Sequence, residues 1–164
     1  MVLAAVAVLA AACGDGGAET STAAVDSLSA DRSSFTAPQL GGGEFDSASI
    51  QGKDTVLWFW APGCTVCRAE APNVVAAAAE FEDSVEVIGV AGRGEVDEMD
   101  QFLADTDTGG LDHMVDSDGA IWSQYGVAAQ PAFAFIDDSG EVEVVVGALG
   151  GEALTERMQK LAAA

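Results

Sequence analysis

A chain of 164 residues can hold one domain with a terminal segment to spare, and 49% apolar residues exclude a wholly disordered protein. The formal net charge is −21, and only six residues are lysine or arginine. So few cations cannot neutralise a phosphate backbone, which excludes nucleic acid as a partner. They also cannot hold the protein electrostatically on an anionic lipid surface.

The N-terminus has the composition of an export signal. Residues 1–12 are almost wholly Ala, Val and Leu, and they are too short to span a bilayer, which needs about 20 residues. A stretch rich in Gly, Ser, Thr and Ala follows Cys13. We expect a signal peptide over 1–12, a flexible tether over 13–34 and a folded domain over 35–164. No basic residue precedes Cys13, so we expect the complete signal to begin upstream of Met1.

The folded part predicts alternating strands and helices, because apolar runs bounded by turn residues alternate with stretches of helical periodicity. In chain order we expect an edge strand over 35–40, a weak strand or turn over 44–50, strands over 56–60 and 85–90, helices over 65–81 and 95–105, a short strand over 113–115, a helix over 120–125, a hairpin of strands 132–136 and 141–146, and a helix over 152–163. The expected buried helix faces are Val96, Met99, Phe102 and Leu103, and Leu154, Met158 and Leu161. This order predicts an α/β fold with helices on both faces of a mixed sheet.

A Cys-x-x-Cys motif follows the strand predicted over 56–60. Cys64 and Cys67 stand at the start of the next predicted helix, where unpaired backbone N–H groups and the helix dipole stabilise a thiolate. Their spacing also allows a disulfide between them. The alternatives are a purely structural disulfide or half of a zinc site. Zinc is disfavoured because the chain has no second ligand pair and only one histidine.

Two separated motifs make the sequence resemble the thioredoxin superfamily and, within it, the TlpA/ResA/DsbE-like extracytoplasmic thiol–disulfide oxidoreductases. The first motif is Phe-Trp-Ala-Pro-Gly-Cys-Thr-Val-Cys-Arg-Ala-Glu-Ala-Pro over 59–72, and the second comprises 116–119, 125–127, 130–137 and Gly140. The resemblance covers about residues 35–164. It implies a thioredoxin-like fold with a central mixed sheet and a redox-active dithiol that needs neither metal nor cofactor.

The resemblance also implies roles for site residues. Cys64 would be the nucleophile that attacks a partner disulfide, and Cys67 would then release the partner and form the redox disulfide with Cys64. Pro131 matches the family's cis-proline, which faces the cysteines and exposes the backbone of Gln130 to an extended substrate. Gln130 departs from the Thr or Val that often precedes this proline. Glu70 matches a glutamate near the dithiol, which could repel a thiolate or relay a proton; the alternative is a solvated helix residue.

Aromatic and turn residues complete the expected site. Trp60 is predicted as both support and wall, excluding water and offering contact area to a partner, and Pro62 belongs to the same wall. His113 is the only histidine, and we expect a structural role for it rather than proton donation. The segment 116–119 resembles a calcium loop in passing, but later ligands are missing, so it predicts a turn and a helix cap.

Small residues before Cys13 and a polar stretch after it resemble a bacterial lipoprotein signal, in which the cysteine carries the lipid. An ordinary signal peptide with an incidental cysteine is the alternative. We expect a lipid-anchored protein on the extracytoplasmic face of the bacterial cell membrane, or a secreted or periplasmic protein if Cys13 carries no lipid.

The predicted activity is exchange of a dithiol with the thiols and disulfides of other proteins. As a reductant, the protein would keep the haem-binding cysteines of apocytochromes reduced, drawing electrons from a membrane thiol carrier. As an oxidant, it would introduce disulfides into exported proteins. A thioredoxin-fold peroxidase is disfavoured because no threonine lies three residues before Cys64, and a non-enzymatic adaptor is disfavoured because both cysteines are intact.

Overall fold

A five-stranded mixed β-sheet forms the centre of residues 34–163, the part of the chain that this computed structural model describes. In chain order the elements are β1 (Thr36–Pro38), β2 (Glu44–Asp46), a 3₁₀ helix (Ser47–Ile50), β3 (Thr55–Trp60), α1 (Thr65–Glu80), β4 (Glu86–Gly92), α2 (Val96–Thr106), β5 (Asp112–Asp116), α3 (Ala120–Gln124), β6 (Ala132–Ile136), β7 (Val142–Val146) and α4 (Gly150–Leu161). The predicted signal peptide, Cys13 and nearly all of the predicted tether lie outside the described residues.

The central sheet has the strand order β5-β4-β3-β6-β7. Strands β3, β4 and β5 are parallel, because the helices α1 and α2 return the chain across the sheet between them. Strands β6 and β7 are antiparallel, joined by the tight turn at 137–140. The predicted edge strand forms as β1, but it pairs with β2 in a separate two-stranded sheet. One bridge, between Gln39 and Met114, links this small sheet to β5.

Strand β3 supplies both halves of the core, because its side chains point alternately to opposite faces of the sheet. Trp58 and Trp60 belong to an apolar cluster with residues of α1, α2 and α4. Leu57 and Phe59 belong to a second cluster, formed with α3 and the small sheet. The predicted α/β thioredoxin-like fold, with helices on both faces of a mixed sheet, is confirmed.

The predicted helix faces are buried except at Val96 and at Leu103, which is only partly buried against the core. Met99 and Phe102 in α2, and Leu154, Met158 and Leu161 in α4, lie in the core. Val96 was expected on the buried face but is 50% exposed. It is the first residue of α2, where the chain enters the helix through a capping box made by Glu95 and Glu98. The first turn therefore faces solvent, and the buried face begins at Met99.

None of the helices within residues 34–163 is both long and apolar enough to cross a bilayer.

Candidate active site: a disulfide at the N-terminus of helix α1

Cys64 and Cys67 form a disulfide at the point where β3 gives way to α1. The strand ends at Trp60, and a turn follows in which the Cys64 N–H donates to the Ala61 carbonyl at 3.0 Å. Cys64 is then the N-cap of α1, and Cys67 lies in its first turn. Cys64 is 8% exposed, whereas Cys67 is completely buried. Of the two cysteines, only Cys64 therefore reaches solvent.

The sulfur of Cys64 occupies the position of a helix cap. The backbone N–H of Cys67 donates to Cys64 Sγ, with an N–S distance of 3.0 Å. The first N–H groups of a helix have no partner within the helix, and the helix dipole adds positive potential at the same point. When the disulfide is opened, these groups stabilise negative charge on Cys64.

The peptide bond between Gln130 and Pro131 is cis, as the resemblance implied. Pro131 immediately precedes β6, and the register of β6 against β3 pairs Ala132 with Phe59. Pro131 therefore lies opposite Trp60, the last residue of β3. This is the end of the strand from which the chain continues to Cys64. The Pro131 carbonyl accepts the N–H of Gly147 at 2.8 Å, so it is not free to pair with a partner, and Gln130 is partly exposed.

Trp60 supports the site from within the core. Its ring stacks on Phe102 with a centroid distance of 4.1 Å, and its side chain is 0% exposed. The part of the prediction in which Trp60 offers contact area to a partner is therefore wrong, because α2 covers the ring. Pro62 is also buried, with its ring against Gly94 and its carbonyl accepting from the Arg68 guanidinium at 3.3 Å.

Exposed residues beside the disulfide are Gly63, Thr65 and Val66. Val66, between the two cysteines, is 50% exposed and is one of the few large apolar side chains that face solvent within residues 34–163. The segment 128–130, before the cis-proline, is also exposed or partly exposed. Among the described residues, no three His, Cys, Asp or Glu side chains are grouped so that they could hold a metal ion.

His113 has a structural role, as expected. The indole N–H of Trp60 donates to His113 Nδ1 at 3.2 Å, so the ring hydrogen is on Nε2, which donates to the Thr108 carbonyl at 3.0 Å. Both ring nitrogens are thus used in the neutral form. Burial lowers the pKa of His113 below its ordinary value, although the hydrogen bond to Thr108 acts in the opposite direction.

Acidification is expected to destabilise the oxidised protein through His113. The folded state holds this ring neutral, so the unfolded chain takes up the proton first as the pH falls below about 6.5. The contribution of His113 to the free energy of unfolding is present above that pH and is lost below it. The loss is at most about 1.4 kcal/mol per pH unit, the value for one proton. Urea unfolding between about pH 7.5 and 5.5 measures this slope. A His113→Asn variant with the same slope would contradict the prediction.

Glu70 is buried, so the alternative of a solvated helix residue is wrong. It is 4% exposed, and its Oε1 accepts the N–H of Gly150 at 2.9 Å. This contact joins α1 to the start of α4, 80 residues further along the chain. It also explains why α4 begins at Gly150 and not at Glu152 as predicted, since the carboxylate satisfies an N–H of the first turn.

Two arginines near the site were given no functional role from the sequence. Arg68 forms an ion pair with Asp105 at 2.9 Å and lies over the Phe102 ring, fastening α1 to α2. Arg93 donates to Gln130 Oε1 at 3.0 Å and to the Ala128 carbonyl at 2.8 Å. A signal for Arg93 was available, because an arginine between two glycines directly after a buried strand is typical of a tight turn.

The fold and the disulfide at a helix N-terminus define a thioredoxin-like protein with a Cys-x-x-Cys dithiol. A family model described as the AhpC/TSA family matches residues 30–145, and the chain belongs to that family.

Known relatives agree with the resemblance expected from the sequence. The soluble secreted antigen MPT53 of Mycobacterium tuberculosis is 43% identical over 110 residues, covering 67% of this chain and 62% of that protein. The thiol–disulfide oxidoreductase ResA of Oceanobacillus iheyensis is 35% identical over 105 residues, covering 62% of this chain and 54% of that protein. The matched part of this chain thus spans between 54% and 62% of these curated relatives.

Solved structures match over nearly their full length. The structure of MTB DsbF, in mixed oxidised and reduced forms, has a TM-score of 0.78 and 40% identity, covering 80% of this chain and 97% of that one. A secreted Mycobacterium tuberculosis disulfide oxidoreductase homologous to E. coli DsbE has a TM-score of 0.75 and 39% identity, covering 79% of this chain and 98% of that one. The predicted kinship with ResA and DsbE-like proteins is confirmed.

Proposed function

We propose that this protein is an extracytoplasmic thiol–disulfide oxidoreductase that exchanges the Cys64–Cys67 disulfide with cysteines of other proteins. The observation that carries the proposal is the hydrogen bond from the Cys67 N–H to Cys64 Sγ, in a disulfide of which Cys64 reaches solvent and Cys67 does not. An inert structural disulfide has no need of such a cap. The kinship with proteins named as thiol–disulfide oxidoreductases supports the same activity.

The reaction follows from the difference in burial between the two sulfurs. In the reducing direction, the Cys64 thiolate attacks one sulfur of a partner disulfide and forms a mixed disulfide, and the other partner sulfur leaves as a thiolate. The Cys67 thiolate then attacks Cys64 Sγ, restoring the internal disulfide and releasing the second partner thiolate. The partner gains two electrons, which the dithiol loses, and two protons follow from the dithiol to the released thiolates. The oxidising direction is the reverse.

The segment before Pro131 provides the second half of the proposed site. We assign to the backbone of Gln130 the pairing with an extended stretch of the partner on either side of its reacting cysteine. Backbone pairing accepts many sequences, which suits an enzyme that acts on several proteins. The partly exposed Gln130 side chain would then modulate which partners bind.

Glu70 acts on the dithiol through its charge in this proposal, because it lies one helical turn after Cys67 and is buried. We expect the Glu70→Gln variant to react with iodoacetamide at Cys64 about threefold faster near neutral pH, since a nearby carboxylate disfavours a thiolate. The glutamine oxygen can still accept from the Gly150 N–H. Glu80→Gln, at the exposed far end of α1, is the matched control. Equal rates in all three proteins would contradict the role of Glu70.

The direction of electron flow depends on which of two opposing features prevails. A buried carboxylate near the dithiol destabilises the thiolate and favours a reductant, which would serve apocytochrome maturation or general thiol homeostasis and be recharged by a membrane thiol carrier. The Cys67 N–H on Cys64 Sγ stabilises the thiolate and favours an oxidant acting on exported proteins. We favour the reductant, because the charge of Glu70 is buried and therefore weakly screened.

The reduction potential decides between these directions. Equilibrating the protein with glutathione or dithiothreitol buffers and quantifying the free thiols gives its value. A potential near that of thioredoxin, about −270 mV, supports the reductant, and one near that of DsbA, about −120 mV, supports the oxidant. Rapid consumption of hydrogen peroxide by the dithiol form would instead support a peroxidase. Ala61 stands where a threonine would be expected for that activity.

The extracytoplasmic location is proposed from the N-terminal sequence and from the relatives named as secreted. We further propose that Cys13 carries a lipid that anchors the protein to the membrane. Mass spectrometry of the mature N-terminal peptide, recovered from the membrane fraction, tests this. A peptide that begins at Cys13 with an added diacylglyceryl mass supports the anchor, and an unmodified Cys13 in a released protein excludes it.

A further inference from the structure

The turn formed by Gly92, Arg93 and Gly94 is wedged between the two halves of the site. A Cβ at Gly92 would lie 2.9 Å from the Trp122 indole nitrogen, and a Cβ at Gly94 would lie 2.9 Å from Pro62 Cδ. Neither distance leaves room for a side chain, so the backbone itself fills the space between α3 and the turn that leads to Cys64. Packing on both sides fixes the position of Arg93.

The side chain of Arg93 reaches from this turn to the segment before the cis-proline. Arg93 has a φ of 55°, a left-handed conformation that is uncommon for a residue other than glycine. Its guanidinium donates to Gln130 Oε1 at 3.0 Å and to the Ala128 carbonyl at 2.8 Å, and it lies 4.9 Å from the centre of the Trp122 ring. A planar guanidinium can make these contacts together, whereas an ammonium presents a single point charge.

The segment 128–130 depends on Arg93 for its hydrogen bonds. Before it, the Val127 N–H donates to the Trp122 carbonyl, and after it the Pro131 carbonyl accepts from Gly147, each at 2.8 Å. Between these two points, Arg93 supplies the only hydrogen bonds that reach residues 128–130 within the described part of the chain. Without them, this segment would be held by hydrogen bonds only at its two ends.

Among the residues that the structure describes, Arg93 forms no ion pair of the kind made by Arg68 and Arg157. Arg68 binds Asp105, and Arg157 binds Glu143, but no carboxylate within residues 34–163 lies at ion-pair distance from Arg93. The chain has a net charge of −21, so carboxylates are plentiful. Within the described residues, the Arg93 guanidinium nevertheless bonds a backbone carbonyl and an amide oxygen, which fits a side chain that holds a loop.

We propose that Arg93 is a positioning residue that holds residues 128–130 in the conformation to which an extended peptide partner binds. The proposal rests on the proposed function and specifies it further. Arg93 favours the binding of protein and peptide partners that carry a disulfide, because their backbone pairs with Gln130. It has no effect on small disulfides, which need only the sulfur of Cys64. The residue therefore lowers KM for peptide partners and leaves the chemistry of the dithiol unchanged.

The test compares Arg93→Gln with Arg157→Gln in the complete protein. Arg157 is a matched control, because it also combines hydrogen bonding with a position over an aromatic ring, 5.7 Å from the Phe135 centroid, but lies on α4. The substrates are insulin, a disulfide-bonded protein, and hydroxyethyl disulfide, a small disulfide. The measurements are kcat and KM for each substrate and the reduction potential of each variant. Circular dichroism verifies that the variants are folded.

We expect Arg93→Gln to raise KM for insulin about tenfold, the effect of losing two charge-assisted hydrogen bonds that order a binding loop. Its kcat, its rate with hydroxyethyl disulfide and its reduction potential stay at the values of the unmodified protein, as do all those of Arg157→Gln. Arg93→Lys keeps the charge and one hydrogen bond, and we expect it to restore part of the insulin affinity.

Three results would overturn the proposal. An unchanged insulin KM in Arg93→Gln shows that the segment 128–130 needs no such support. An equal loss with insulin and hydroxyethyl disulfide, or a shifted reduction potential, shows that Arg93 acts on the fold or on the dithiol. An unmodified protein that exchanges with neither substrate removes the proposed function itself, and this outcome is distinct from the other two.

Discussion

Replacing Cys64 by serine is expected to lower the rate of dithiol–disulfide exchange by at least about a thousandfold, because a serine hydroxyl does not ionise near neutral pH and does not attack a disulfide. Cys67→Ser should behave differently. Its Cys64 still attacks, but the buried residue that would release the partner is missing, so the mixed disulfide accumulates. Insulin reduction measures the first effect, and non-reducing electrophoresis of Cys67→Ser mixed with a membrane extract measures the second.

The third cysteine provides the control for these variants. Cys13→Ser makes the same chemical change outside the Cys64–Cys67 pair and should exchange disulfides at the rate of the unmodified protein. Mixed disulfides that accumulate with Cys64→Ser and not with Cys67→Ser would reverse the assigned order of the two cysteines. Identifying the trapped partners by mass spectrometry would also separate apocytochromes from exported proteins in general.

Adding one methyl group at Gly89 is expected to destabilise the protein by about 3 kcal/mol. Gly89 lies in the middle of β4, paired with Trp58 of β3 and with His113 of β5. A Cβ there would lie 2.8 Å from Trp60 Nε1 and still closer to His113 Nδ1, between the two atoms of the buried hydrogen bond. The strand cannot move aside because both of its neighbours are fixed by backbone pairing. Urea unfolding of Gly89→Ala measures the change in the free energy of unfolding.

Two further variants sharpen this prediction. Gly109→Ala has open space around the added Cβ and should change stability by less than about 0.5 kcal/mol. Combining Gly89→Ala with His113→Ala removes the ring that the methyl group would strike. The double variant should then be more stable than the sum of the two single effects by at least about 1 kcal/mol. Additive effects would mean that the loss at Gly89 has a cause other than His113.

The parts of the fold that could be predicted from the sequence are those set by local pattern. An apolar run ending at Trp60, followed by a turn and a helical stretch, is enough to place Cys64 at a helix N-terminus. The cis bond before Pro131 could not come from pattern alone, since X-Pro bonds in folded proteins are mostly trans; it was implied by resemblance.

The parts that could not be predicted depend on contacts between distant segments. Trp60 was expected to face a partner, and its burial follows from Phe102, 42 positions away, stacking on it. The sequence around Glu70 does not reveal that Gly150 supplies its hydrogen bond. Arg93 likewise reaches Gln130 only because the sheet brings two loops together. In each case the interaction depends on the assembled sheet, and no local periodicity encodes it.

The hydrogen bond between Glu70 and Gly150 has a consequence for where the functional unit ends. The family match stops at residue 145, before α4, yet α4 supplies Leu154, Met158 and Leu161 to the core around the dithiol. A version of the chain shortened to the family boundary would uncover that apolar surface and leave the Glu70 carboxylate without its backbone partner. Any recombinant or transplanted form of this oxidoreductase should therefore extend at least through Leu161.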